Sequence, residues 1–487
     1  MTDSLPPIAQ KVADSGPHTT RLVLMARPGA SFQPDACLER LNLKFSFDST
    51  RRLGSNAELG LPPEAWYRIL RVQDYPFDMI VWSESGPLPP DRQPRPTPLH
   101  RLTMGETALS ELAACDQRLC LETMLDPART QLAYGFVLKV AALLGGENLT
   151  GMHDVASGRF FPIAELHELT RSAAPPPVHD LVALEDRSLP GMPTSPEGQP
   201  LGPWMLCTRG LLRAVQPEVA LPLVNMEHRP YVARLLHAVA ASMASEGIPT
   251  LGQPFELMGL PPALVALDLA EAIPPLAPHI PPTLMLVLAG DANAPLEHAA
   301  RRLGEALENL QIEHLTPYEA HIRQTVARER LPRLIEVFAR AEGTALEFSY
   351  KAGVRIDGAA SSSSAPGASE KNATLPPAAT PEEALRTAAR AAEVAAMHPT
   401  ADDPAAPADA DRQPREFLWF RLLDATAEGL HGELVSTPNH IENLVPGDAR
   451  YHAPADVADW LIRLEDGTTF GPGDVTLLSY VASRLKA

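Results

Sequence analysis

The chain has 487 residues, too many for one ordinary hydrophobic core, so two or more domains are expected, each long enough to fold without covalent staples. A formal net charge of -19 makes the average surface repel phosphate backbones and anionic lipid, and the basic residues lie singly among acids, so neither nucleic acid nor a membrane is an expected partner. The four cysteines, Cys37, Cys115, Cys120 and Cys207, make no CxxC pair and no zinc-type cluster with histidine; no metal and no disulfide framework is expected, and a reducing interior suits them.

Taken in chain order, MTDSLPPIAQK lacks the basic segment and apolar run of a leader, and residues 1–18 are expected to form a disordered tail. Every later apolar stretch is cut by Pro, Asp or Glu well short of the roughly 20 residues that span a bilayer, so a cytoplasmic protein is expected. A strand in RLVLMAR (21–27), a helix from Pro34 to Leu41 and a strand in LKFSF (43–47) follow. The spacing predicts a helix in QLAYGFVLKVAALLGG (131–146), ending in glycines that suit a left-handed cap. MHDVASGRFF (152–161), HDLVALED (179–186) and PWMLCTRGLL (203–212) read as strands. YVARLLHAVAASMASEG (231–247) is helical, with Val232, Leu235, Leu236, Val239 and Met243 on one face. LVALDLA (264–270) and TLMLVLA (283–289) are strands, and Leu296, Ala299, Ala300, Leu303, Leu307 and Leu310 recur at helical spacing after Pro295. This second strand and helix, opened by a proline like the first, hints at two related halves, about 19–180 and 181–356. TPYE (316–319) reads as a capping box opening a helix that Pro332 kinks or splits, and LEFSYKA (346–352) as a further strand. The region 19–356 is therefore expected to be α+β, with mostly antiparallel sheets and packed helices.

From 357 to 413 the composition turns to Ala, Ser and Pro with nine acids, four bases and few large apolar residues, which cannot repay the entropy of ordering. It reads as an acidic linker holding one marginal helix, 381–397. Beyond it FLWFRLLD (417–424), GLHGELV (429–435), ARYHA (449–453) and DWLIRL (459–464) predict a small β-rich domain over 414–487, with Trp419 and Trp460 in its core.

LCTRGLLRA (206–214) carries CxxGxxR, the spacing of the phosphate loop in cysteine-dependent phosphatases. That chemistry needs a thiolate, backbone amides around the phosphate, an arginine clamp and a helix whose dipole lowers the thiol pKa. Cys207 and Arg213 supply two of these. AVQPEVALP after Arg213 predicts turn and strand where the helix should be, and a packed, apolar Cys207 is the favoured reading. HELT (167–170) lacks the second histidine of a zinc helix. In His153–Asp154 and His179–Asp180, neighbours on a strand face opposite ways and make poor base-and-orienter pairs. Cys115 and Cys120 read as core residues.

The last segment, through Trp419, Gly429, Gly432, Leu434, Pro438, Asn439, Gly447, Asp448, Asp459, Trp460, Gly467 and Gly471, resembles the family called domain of unknown function 2314, with Phe470 where that family usually has another glycine. The N-terminal region resembles domain of unknown function 4026, which has a tryptophan, a His-Thr-His-Gly-Leu run, an arginine and a Pro-Glu pair; Trp204, Thr208, Gly210, Leu211, Arg213, Pro217 and Glu218 fit it, with Cys207 and Arg209 at the two histidine positions. The resemblance implies a bacterial cytoplasmic setting and no particular activity. The expected function is binding of a protein or a small molecule without catalysis and without a cofactor. Asn439, Asp448 and Asp459, at predicted turns and strand ends, are the candidate contacts. The alternative is a phosphoester hydrolase using Cys207 and Arg213.

Overall fold

The computed structural model describes residues 7–16, 18–49, 65–86, 98–188, 204–223, 226–257, 263–308, 317–341, 343–356, 415–441, 443–465 and 469–485, and the isolated positions 55, 56, 58 and 61. Among these residues the fold is α+β, with three mostly antiparallel sheets. The chain divides into two units: Met1–Thr170 with Pro175–Ala320, and Arg171–Ala174 with His321–Ala487. No helix among the described residues is long and apolar enough to cross a membrane.

The first sheet comprises β1 (Thr20–Ala26), β2 (Phe47–Asp48), β3 (Tyr67–Val72), β4 (Met79–Ser85), β5 (Gln117–Thr123), β6 (Leu149–Asp154) and β7 (Arg159–Pro162), in the order β2-β3-β4-β5-β1-β6-β7. The run TRLVLMA of β1 is buried along most of its length because it lies between β5 and β6, antiparallel to both. MHDVASGRFF is a hairpin instead of one strand: Asp154 of β6 faces Arg159 of β7, and Gly158, at φ 72°, supplies the left-handed step between them. LKFSF yields only the two-residue β2, since Leu43, Lys44 and Phe45 continue to bond back to the helix Pro34–Asn42.

The expectation of a disordered tail over 1–18 fails at residues 7–14, which form a helix. Ile8 and Val12, one turn apart, are fully buried, and Lys11 Nζ lies 2.5 Å from Asp268 Oδ2. Eight residues are too few to hold a helix by propensity, so this one owes its existence to burial and pairing that local sequence does not display.

The second sheet comprises β8 (Ala183–Ser188), β9 (Trp204–Arg209), β10 (Glu218–Leu223), β11 (Pro254–Phe255), β12 (Leu264–Asp268) and β13 (Thr283–Leu288), in the order β11-β12-β13-β10-β9-β8. HDLVALED begins as a single helical turn, Val178–Leu181, before β8. The helix Arg229–Glu246 buries the predicted face and stops at Gly247. Leu22 and Leu24 of β1 share one hydrophobic cluster with Leu206, Leu221 and Leu286, so both sheets rest on a common core. Their topologies do not repeat: β1 is antiparallel to both neighbours, whereas β13 is parallel to β10 and antiparallel to β12.

In the second unit β14 (Glu347–Arg355), β15 (Arg415–Ala425), β16 (Leu430–Leu434), β17 (Ala449–His452), β18 (Val457–Arg463) and β19 (Thr469–Phe470) form a sheet ordered β17-β16-β15-β14-β18-β19. The domain boundary expected at 356/414 is therefore displaced. β14 pairs with β15 from Ser349–Arg421 to Arg355–Arg415 and with β18 on its other side, so the segment after 356 joins two neighbouring strands of one sheet. Residues 357–414, with the expected helix 381–397, lie outside the described residues, as does Thr316 of the capping box. The helix Pro317–Glu329 ends before the helix Leu331–Arg340, the split expected from Pro332. Trp460 is fully buried and its Nε1 donates to the Ala327 carbonyl at 3.1 Å. Trp419 is only partly buried, with Lys351 Nζ 5.6 Å from its ring; Tyr350 and Phe420, stacked at 5.5 Å, take the core place expected of it.

Candidate functional site

β9 carries Cys207 into an apolar cluster with Met205, Val265 and Met285, where it is 4 % exposed. Burial pushes its thiol up to about 12. At Gly210 the chain turns with φ 125°, and a Cβ there would lie 2.7 Å from the Leu181 carbonyl, so the position admits only glycine. A single 3₁₀ turn, Leu211–Ala214, follows; Val215 is left-handed at φ 56°, and β10 begins at Glu218.

The loop does curl its donors inward, and the group they hold is the side chain of Glu218. Its Oε1 accepts from the Gly210 amide at 2.7 Å and the Leu212 amide at 3.3 Å. Its Oε2 accepts from Thr208 Oγ1 at 2.7 Å, and that hydroxyl accepts from the Val219 amide at 2.7 Å. Glu218 is 4 % exposed; burial raises its pKa, against the opposing pull of these donors.

Arg213 points away from Cys207 chemistry into a buried polar cluster. Its Nη1 donates to Asp154 Oδ2 at 2.6 Å, its Nη2 donates to the Leu181 carbonyl, and its guanidinium carbon sits 4.4 Å from the Tyr134 ring centre. Tyr134 Oη donates to the same Asp154 oxygen at 2.8 Å, and Asp154 Oδ1 accepts from the Ala156 amide at 3.1 Å. The acid of the His153–Asp154 pair thus serves an arginine 59 positions away, not the adjacent imidazole. Asp180 pairs with Arg159 at 2.7 Å, while His179 Nε2 is 3.8 Å from it; both lie on a helical turn, where a strand was expected. Among the described residues no three His, Cys, Asp or Glu side chains gather as a metal site.

The three C-terminal candidates do not converge. Asn439 is exposed, and its amide and that of His440 donate to Glu416 at 2.6 and 3.0 Å. Asp448 closes the same connection by accepting from the Val445 amide at 2.9 Å. Asp459 lies on β18, separated from β17 by β16, β15 and β14; it is buried, pairs with Arg323 at 2.7 Å, and has its pKa raised by that burial. The feature that sequence reasoning passed over is the alternation along β15. Leu418, Phe420 and Leu422 are buried, while Phe417 and Leu423 are 47 and 45 % exposed; Tyr451 of β17 is 50 % exposed. Phe417, of parity opposite to the core residues, stands on the outward face of the sheet, and Leu423 is exposed at the irregularity where the register shifts between Leu422 and Asp424.

Asp154 and Glu218 were also missed as partners of the CxxGxxR loop. The available signal was a lone acid ending the apolar strand Leu149–Asp154 and another directly after Pro217. No family model, curated protein or solved structure matches the chain. The family resemblances rest on the quoted residues.

Proposed function

We propose that this protein acts by binding, in a cytoplasmic bacterial setting, and that its C-terminal unit meets a partner protein with an apolar surface through the outward face of the sheet. The observation that carries the choice against hydrolysis is the occupancy of the loop: the amides that a phosphate would need are bonded to Glu218. A thiol titrating at about 12 is protonated at neutral pH, and Arg213 has both Nη atoms committed elsewhere. Support on the binding side comes from Phe417, Leu423 and Tyr451, large apolar side chains left exposed on one sheet. Asn439 is the proposed polar contact, the one of the three candidates whose side chain is well exposed.

The test pairs two assays on the full chain. Arylphosphate turnover that Cys207→Ser abolishes overturns the reading. Phe417→Glu and Leu423→Glu are expected to lose a partner captured by the unmodified chain while melting at its temperature, and equal capture by both variants removes the sheet face from the proposal.

A further inference from the structure

The outward face of the sheet in the second unit carries its charges in order along the strands. Lys351, the middle residue of β14, lies opposite Trp419 of β15. To one side of that pair Arg355 faces Arg415 across the ladder; both are exposed, and Arg355 makes no ion pair among the described residues. Arg415 holds Asp456 at 2.6 Å. To the other side stand the exposed acids Glu347, Asp424, Glu428 and Glu465, with Arg463 3.6 Å from Glu347. Between these ends lie Phe417, 47 % exposed, the half-buried Trp419, and Val435, 51 % exposed, whose amide donates to the Trp419 carbonyl at 3.0 Å. Arg421 and Glu433, in the same span, bond to each other. The sheet therefore has a basic end, an acidic end and an apolar strip across its middle.

We infer that this face binds a second copy of the chain, related by a twofold axis running across the strands over Trp419. That rotation turns the partner end for end, so the arginine end of each copy lies over the acidic end of the other and the apolar strip meets itself. Counted from Trp419, Arg355 then falls over Glu347 of the other copy, and Phe417 over Arg421, a cation above a ring. Charge order is what selects this occupant. A uniformly acidic or uniformly basic ligand is attracted at one end and repelled at the other, whereas the reversed copy presents both signs where they are wanted. Two chains of net charge -19 repel over most of their surface, and a face of mixed sign is where that repulsion is weakest. The strands β16, β15, β14 and β18, about 4.8 Å apart and up to about 27 Å long, offer roughly 500 Å² per copy, the low end for specific association, so the dimer is expected to be micromolar.

The inference rests on the reading of this face as a binding surface, and the two fail separately: a chain that stays monomeric yet captures another protein through Phe417 keeps that reading and sinks the inference. Sedimentation equilibrium of the purified full chain is expected to show a species of twice 52.5 kDa, populated as concentration rises through the micromolar range. Phe417→Glu is expected to weaken association at least about tenfold. Arg355→Glu and Glu347→Arg each set like charges against one another twice in a twofold dimer, and each is expected to weaken it about tenfold. Both positions are exposed, and thermal melts verify that the variants fold. Mixed in equal amounts, the two charge variants are expected to recover the original affinity as a heterodimer, because every contact again joins opposite signs. A monomer at all concentrations, association unchanged by Phe417→Glu, or charge variants that leave it unchanged or fail to recover on mixing, each overturns the inference.

Discussion

Glu218→Ala removes one carboxylate and strands three donors. The Gly210 amide, the Leu212 amide and the Thr208 hydroxyl all end on that side chain, in a place 4 % exposed. A buried donor without its acceptor costs about 1–3 kcal/mol. Water entering the vacated volume recovers part of this, which leaves about 4 kcal/mol of expected destabilisation. Glu218→Gln is the informative companion. Its oxygen still accepts from both amides, and its NH₂ donates to Thr208 Oγ1, whose other lone pair serves the Val219 amide, so that only the Thr208 hydroxyl proton loses its acceptor. The amide also escapes the burial cost that raises the Glu218 pKa, which offsets part of that loss and leaves about 1–2 kcal/mol. Urea unfolding reads both through the midpoint and slope. Formate should restore part of the loss in Glu218→Ala and none in Glu218→Gln. An alanine variant within about 1 kcal/mol of the unmodified chain would refute the view that this carboxylate holds the loop.

Val215→Gly is expected to raise stability by about 1 kcal/mol, because a left-handed valine is strained and glycine is not, less the extra freedom glycine has when unfolded; a thermal melt checks it. His452 is 6 % exposed, 2.8 Å from Tyr350 Oη, and burial lowers its pKa from 6.5 to about 4. The unfolded chain therefore binds its proton first. Stability present above pH 6.5 is lost as pH falls to 4, by about 3 kcal/mol from this group, and His452→Gln should flatten that part of the acid unfolding curve. Residues 415–487 alone lack β14 and its buried Phe348, Tyr350, Ala352 and Val354, and should show no cooperative melt by circular dichroism, whereas 321–487 should show one.

What the sequence displayed was whatever its local pattern encodes. TLMLVL was readable as β13 because five consecutive apolar residues, Leu284 to Leu288, suit a strand covered on both faces, and Gly247 announced the end of its helix. The helix at 7–14 was hidden because its stabilisation comes from Asp268 and a distant core. The identity of β14 as a C-terminal strand was hidden for the same reason: LEFSYKA specifies a strand but not its neighbour, and the composition change at 357 looked like a boundary. At the CxxGxxR loop the absence of a following helix was legible from Pro217 and Pro222. The occupant was not, since a carboxylate five positions beyond the arginine reads as an ordinary strand start until the chain folds it back.

Arg355 and Arg415 face each other across one ladder. The seven facing pairs from Ser349–Arg421 to Arg355–Arg415 fix the register of that seam, and a slip by one residue would carry Tyr350 and Phe420 out of the core together.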